Sequence, residues 1–232
     1  MKIKWKLFSK SFLLAFLTFA VLSTIIITSL YLDANAVDPL NKESTVLIGL
    51  TEKDKVLSLC IINFDPQNDT IKFLPIPDNV WIANGTVLQN QYDKRKIADF
   101  RESLEKLIGA KIDRYIMLTT ENIVDINSHM GQDISDVSLS NIGFAYLKTF
   151  LDSYAKAPHI EKLADILSTK SFLKSTHTNL SKKEMKAYCE LLSQYILMTR
   201  KTIDISGKYD TQPYSNTYFI PDNPQPDKNI FK

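Results

Sequence analysis

Glycine is scarce in this chain, six in 232 residues, and none of the six builds a Gly-x-Gly-x-x-Gly turn, a Walker loop or a Gly-x-Ser-x-Gly elbow. Those motifs need glycine because a backbone must approach a phosphate closely or turn sharply beneath a nucleophile, so their chemistries are excluded in their usual forms. Histidine is scarcer still. His129, His159 and His177 are scattered, with no pair at i and i+4, so the ligand spacing of a zinc site is missing, and each is expected on the surface or at a helix end. Only two cysteines occur, Cys60 and Cys189, far apart in sequence, the first in an apolar run and the second on an expected helix. No disulfide framework is written, and whether the two thiols meet stays open. Acidic pairs such as Asp204 with Asp210 read as solvated rather than catalytic. No catalytic or metal-ligating set emerges from the residue types alone.

What is present begins with residues 11–32, which carry no charge and follow Lys2, Lys4, Lys6 and Lys10. As a helix at roughly 1.5 Å per residue this stretch is about 33 Å long, enough to cross a hydrocarbon core of about 30 Å. The lysines are expected to stay in the cytoplasm. The sequence therefore divides into a basic tail (1–10), a transmembrane anchor (11–32), a linker (33–44), an extracellular domain (45–222) and an irregular tail (223–232). A cleavable signal peptide is the competing reading, since Ala34-Asn35-Ala36 supplies a small-x-small site, but its usual apolar region is about 7 to 15 residues long. Four of the 28 basic and one of the 26 acidic side chains fall within residues 1–36, leaving 24 against 25 in the exported part. A domain so near neutrality has no electrostatic footprint for nucleic acid, and none is expected as a partner.

Within the domain, 46–50 and 56–64 are β-branched and apolar runs of strand length, the second apolar enough to be buried on both faces. Asp65-Pro66-Gln67-Asn68-Asp69 is turn chemistry and leads to a third strand at 70–76. From Lys94 the period becomes helical: Ile97, Phe100, Leu104, Leu107 and Ile108 share one face, and Gly109 stands at the expected C-terminus. A strand at 112–118 and a helix at 121–130 follow. Residues 139–198 read as mainly helical, interrupted at Pro158 and around 172–180, and Ser181-Lys-Lys-Glu184 is a capping box. Residues 202–206 and 218–220 are expected as sheet-edge strands. The order predicts an α/β fold, a central mixed sheet flanked by helices, preceded by one N-terminal transmembrane helix.

Five short signatures occur in order. They are Asn63-Phe-Asp-Pro66, then Leu74-Pro-Ile-Pro-Asp-Asn79, then Ser103-Leu-Glu-Lys-Leu-Ile-Gly109 with Ile112-Asp-Arg-Tyr115, then Thr178-Asn-Leu-Ser181, then Ser215-Asn-Thr-Tyr-Phe-Ile-Pro-Asp222. Behind a single anchor, this order resembles the LytR-CpsA-Psr family over residues 45–222. The resemblance implies a membrane-tethered phosphotransferase that moves a glycopolymer from a polyprenyl-pyrophosphate carrier onto peptidoglycan. In such a site arginines grip the pyrophosphate, an aspartate places Mg²⁺ or accepts a proton, and an apolar cleft takes the lipid.

The departures fall on those charged positions. The family's Arg-Asp after Ile-Pro is Asp78-Asn79 here, Leu57 stands where the strand-2 aspartate is expected, and the arginine-rich loop is missing between Gln132-Asp-Ile134 and Leu139. At about 5 Å and an effective dielectric near 20 each charge contact is worth about 3 kcal/mol, and reversing one costs twice that. Asp78, Asn79 and Tyr92 remain as binding candidates at family positions, with no catalytic residue and no metal ligand assigned. Their bland alternatives are a turn cap for Asp78 and Asn79 and core packing for Tyr92. The resemblance, with these losses, implies a catalytically degenerate relative that holds a polyprenyl-phosphate lipid, a cell-wall glycopolymer or an envelope partner at the membrane, with Mg²⁺ only where a phosphate site survives. One alternative is an active phosphotransferase using Arg95, Arg101 or Arg114, with Lys148 and Lys156 as further substitutes for lost arginines. Another is an exported structural or interaction module.

Overall fold

Three apolar runs punctuated by polar turns open the fold as a meander. The computed structural model describes residues 38–77, 79–82, 85–130, 172, 175–193, 197–211, 217–222 and 229–231. β1 (Ser44–Glu52) pairs antiparallel with β2 (Lys55–Asp65), and β2 pairs antiparallel with β3 (Thr70–Ile76). Between β2 and β3, Asp65 accepts from the Asn68 backbone N–H and side-chain amide at 3.2 and 2.8 Å, as the turn chemistry requires. The β1–β2 connection is less legible: Lys53 and Asp54, neither glycine nor asparagine, both take positive φ, 49° and 63°, the pattern of a type I′ hairpin. Just inside it Thr51 pairs with Val56 while Leu50 pairs with Ser58, so Leu57 is the extra residue of a bulge.

β4 (Trp81–Ile82) and β5 (Thr86–Val87) form a small ribbon. Helix α1 (Ile97–Ile108) then ends at Gly109, whose φ of 62° is left-handed. β6 (Arg114–Thr119) returns parallel to β1, α2 (Thr120–Met130) follows, and the two-residue β7 (His177–Thr178) pairs antiparallel with β6. α3 (Lys182–Ser193) has the expected capping box: Ser181 N–H donates to Glu184 Oε2 at 2.8 Å, and Glu184 N–H to Ser181 Oγ at 3.2 Å. The main sheet runs β7-β6-β1-β2-β3-β8, with β8 (Thr199–Thr202) parallel to β3. β1, β3, β6 and β8 thus point one way, β2 and β7 the other. This is the mixed α/β sheet with flanking helices that the sequence predicts.

The sheet is buried on both sides because its central strands are apolar at successive positions. On one face Val46, Leu50, Cys60, Ile62, Phe64, Ile71 and Phe73 meet Ile123 and Ile126 of α2 and Met185, Tyr188, Cys189 and Leu191 of α3. On the other, Leu47, Leu59, Ile61, Leu74 and Ile76 meet Phe100, Leu104, Leu107 and Ile108 of α1. Each of these large side chains contributes roughly 1.5–3 kcal/mol by leaving water. Both cysteines are free thiols in the first core, and burial pushes each up to about 12.

Three expectations differ in detail. The strand expected at 202–206 lies earlier, as β8, where Ile203 N–H still donates to Phe73 C=O at 2.8 Å. The strand expected at 218–220 is β10 (Thr217–Pro221), which pairs with β9 (Gly207–Thr211) in a separate hairpin rather than on the main sheet. Phe231, in the stretch expected as an irregular tail, is buried beside α1, and its carbonyl accepts from Lys72 Nζ at 2.6 Å. The expected anchor at 11–32 and the helical region at 139–171 lie outside the described residues. No helix among the described residues is long and apolar enough to cross a membrane.

Candidate functional site

Ligands of open α/β sheets bind beyond the carboxyl ends of the parallel strands. Here that end is marked by Thr51, Thr119 and, after β3, Pro77 and Asn79. Thr51 Oγ1 donates to the Leu118 carbonyl at 3.2 Å. Asn122, almost fully buried at the start of α2, accepts on Oδ1 from the Thr119 N–H at 2.9 Å and the Thr119 hydroxyl at 3.0 Å. Its Nδ2 donates to Ser175 Oγ at 2.7 Å, and that hydroxyl donates in turn to the Phe172 carbonyl at 2.9 Å. The result is a closed network of neutral groups whose donors are spent on one another.

Of the candidates from sequence, Asp78 lies outside the described residues. Asn79 has φ of 54°, and its amide donates to the Thr217 carbonyl at 3.4 Å while its own carbonyl accepts from Phe219 N–H at 3.1 Å. It therefore fastens the end of β3 to β10. Gln89 completes that fastening, donating to Pro77 C=O at 2.7 Å and accepting from Val80 N–H at 3.0 Å. Tyr92 is buried, its ring set edge to face on Phe100 with centroids 5.5 Å apart. No contact among the described residues joins Asn79 to Tyr92. Leu57, the bulge residue, packs against the core of α2 and α3.

Tyr92 leads to a cluster that residue spacing did not reveal. Its hydroxyl stands 3.4 Å from His177 Nδ1, and the Tyr115 hydroxyl stands 3.5 Å from His177 Nε2. Contrary to expectation His177 is neither a surface residue nor a helix end; it sits half-buried on β7 between two phenols. Burial, then the Asp54 carboxylate, pushes Tyr92 up to about 12. Burial raises Tyr115 against the opposing pull of Arg101, and burial, then Lys94, lowers His177. Neutral imidazole is thus the favoured form. Only the pairing of β7 with β6 brings His177 to Tyr115, and no local pattern announces a two-residue strand.

The three arginines considered for catalysis are placed apart. Arg114, at the amino end of β6, gives Nε and Nη2 to the buried Glu184 at 2.7 and 2.6 Å and Nη1 to the Asp113 carbonyl at 2.8 Å. Arg101, half-buried on α1, has its Nε 3.5 Å from Glu105 Oε1. Arg95 is exposed in the 3₁₀ turn before α1, where its backbone N–H donates to Asp93. Lys148 and Lys156 lie outside the described residues.

A Mg²⁺ ion takes hard oxygen ligands, usually with one or two carboxylates. Among the described residues no three His, Cys, Asp or Glu side chains gather to hold a metal, and the side-chain oxygens of Thr51, Thr119 and Asn122 are neutral and already bonded. The described residues do not fit that ion.

No family model matches the chain, and no curated protein matches it. Solved structures do. TagV of B. subtilis is 20% identical with a TM-score of 0.61 over 82% of this chain and 95% of its own. The Lin1025 protein of Listeria innocua is 13% identical with a TM-score of 0.63, over 82% and 96%. TagT bound to LIIa-WTA is 14% identical with a TM-score of 0.57, over 82% and 89%. These likenesses show the fold, that of LytR-CpsA-Psr proteins.

Proposed function

We propose that this chain is a membrane-anchored extracellular protein of cell-envelope biogenesis that holds a polyprenyl-linked lipid or an envelope partner without transferring a phosphoryl group. The observation that supports this reading is the neutral, internally bonded set Thr51, Thr119, Asn122 and Ser175 at the carboxyl ends of β1 and β6. Phosphoryl transfer is almost entirely positioning and electrostatic stabilisation of anionic oxygens, and Thr51, Thr119 and Asn122 bring no charge to that task. The envelope assignment rests on the shared fold and on TagT, solved bound to LIIa-WTA. The anchor rests on residues 11–32.

The test is native mass spectrometry of the full chain released from detergent micelles, with polyprenol, polyprenyl phosphate and polyprenyl pyrophosphate, each with and without Mg²⁺. Affinity that ignores the head group is the expected result. Binding at least tenfold tighter with pyrophosphate and Mg²⁺ overturns it.

A second reading, active transfer through Arg101, is favoured by one observation. The Arg101 Nε, buried and without a hydrogen bond, is held only by the 3.5 Å approach of Glu105, and its charge reaches Tyr115. Transfer of a lipid-linked polymer that disappears in Arg101→Ala would establish it.

A further inference from the structure

The chain enters the domain at the amino end of β1, and the residues just ahead of that strand are already folded onto the domain. Asn41 and Lys42 N–H donate to the Asp38 carbonyl at 3.3 and 3.0 Å, and Asn41 Nδ2 donates to Asp38 Oδ2 at 2.9 Å. Pro39 is buried, and Leu40 packs against the core of α2 and α3. Of the expected linker, only residues 33–37 are left between this turn and the stretch 11–32 proposed as the anchor. At about 3.3–3.6 Å per residue they reach at most about 18 Å, and the polar headgroup layer takes up about 5–8 Å of that. The remainder is comparable to the Debye length of roughly 8–10 Å, so charges at this end of the domain feel those of the headgroups.

Helix α3 crosses that end. Its Glu184 lies on Arg114 at the start of β6, and its Tyr188 ring stands 5.4 Å from Phe64, which pairs with Ser44 at the start of β1. Met185, Tyr188 and Cys189 are buried in the core, while Lys182, Lys183, Lys186 and Glu190 are exposed. Three lysines to one glutamate give this face of the helix a positive field. Lys42 and Lys111 are exposed at the same end. Carboxylates there are engaged within the domain: Glu43 accepts from Asn63 Nδ2 at 3.0 Å, and Asp113 from Thr45 N–H at 2.9 Å. Leu197, in the turn before β8, is 85% exposed. It is held there, because its neighbour Met198 is buried in the core of α2 and α3 and Thr199 N–H donates to Asp69 C=O at 2.7 Å, level with the start of β3.

We infer that the amino end of the sheet docks on anionic phospholipid headgroups through Leu197 and the lysines of α3. This rests on the anchor proposed for residues 11–32. An apolar side chain fixed in the open, at the same end as a row of lysines, is the composition of an interfacial contact: the leucine enters the headgroup boundary and the ammonium groups meet lipid phosphates. The anchor supplies the proximity, so a weak attraction is enough to hold the surface down. The β1–β2 turn then stands at the far end of β1, nine residues and about 30 Å away.

The experiment uses the full chain in nanodiscs of phosphatidylcholine and phosphatidylglycerol that carry a nitroxide on some of their headgroups. An environment-sensitive fluorophore is attached through Leu197→Cys, or through Lys55→Cys at the far end of β1. The same dye at both positions controls for its own affinity for lipid, and the unsubstituted chain gives the background from the buried Cys60 and Cys189. The expected result is at least threefold stronger quenching at position 197 than at position 55. Joint Lys182→Glu, Lys183→Glu and Lys186→Glu exchange lowers quenching at position 197 at least twofold, as does leaving out phosphatidylglycerol. Carboxylates suit the first turn of a helix, so the exchange leaves α3 folded, which circular dichroism checks. Equal quenching at the two positions, in discs that retain the chain, overturns the docking and leaves the anchor standing. Quenching at position 197 that ignores both the charge exchange and the lipid does the same. A chain that separates from the discs on gel filtration overturns the anchor, and the docking with it.

Discussion

The two ends of the sheet spend their polar groups differently. At the amino ends of β1 and β6 the chain buries charge: Arg114 lies on Glu184 while Glu184 also caps α3, and Thr45 and Asp113 exchange hydrogen bonds at 2.9 Å. At the carboxyl ends, where this fold class takes ligands, the buried Thr51 and Asn122 and the half-buried Thr119 are neutral and bonded to backbone or to one another. Buried charge here serves cohesion rather than recognition. Among the described residues the cation paired with a buried carboxylate, Arg114, sits at the amino end of β6, away from the end where this fold class takes ligands.

Breaking the charged end has the largest effect. Glu184→Ala removes a cap and strands Arg114 among buried neighbours, an expected loss of about 3–5 kcal/mol in urea unfolding. The paired replacement Arg114→Met with Glu184→Leu restores part of that loss, because desolvating two charges offsets much of their attraction. At the neutral end Asn122→Ala leaves the Thr119 N–H without its acceptor and Ser175 without its donor, and is expected to cost about 1–3 kcal/mol by the same measurement, with no change in lipid affinity. The third test is pH. His177 is held below its ordinary value of 6.5, so below that value the unfolded chain takes up a proton that the folded chain refuses. Stability is full above about 6.5 and falls as pH drops toward the folded value, and His177→Gln flattens this slope in thermal melts. The smallest effect is at the exposed Lys94–Asp54 pair, 2.9 Å long. Asp54→Asn changes stability by less than about 0.5 kcal/mol, yet it lowers the phenol titration of Tyr92, read by ultraviolet difference spectra.

The signatures legible in the sequence prove to be pieces that fasten one another. In the Ile112-Asp-Arg-Tyr115 and Thr178-Asn-Leu-Ser181 stretches, Tyr115 N–H donates to Asn179 Oδ1 at 2.8 Å and Thr178 Oγ1 donates to the Tyr115 carbonyl at 2.7 Å. Asn79, just past the end of β3, docks in the same manner on Thr217 and Phe219 of β10. Such motifs are local, and the backbone groups they satisfy are fixed by the fold. Strands and helices were legible for a related reason, since a two-sided sheet and a helix impose different apolar periods. The Tyr92–His177–Tyr115 cluster was not legible, because it joins three elements distant in sequence through a strand of two residues. The Trp81–Tyr218 contact was hidden likewise, because it depends on a β9–β10 hairpin whose second strand the sequence placed at the edge of the main sheet.

The two buried thiols provide a clock. Cys60 and Cys189 face the same core from β2 and α3, and a thiol-specific reagent needs the thiolate, which burial suppresses at both. Each modification therefore records an opening of the sheet away from its helices rather than a surface encounter. The rate at which the two sites are consumed in native buffer, compared between them, reports whether that core parts strand by strand or all at once.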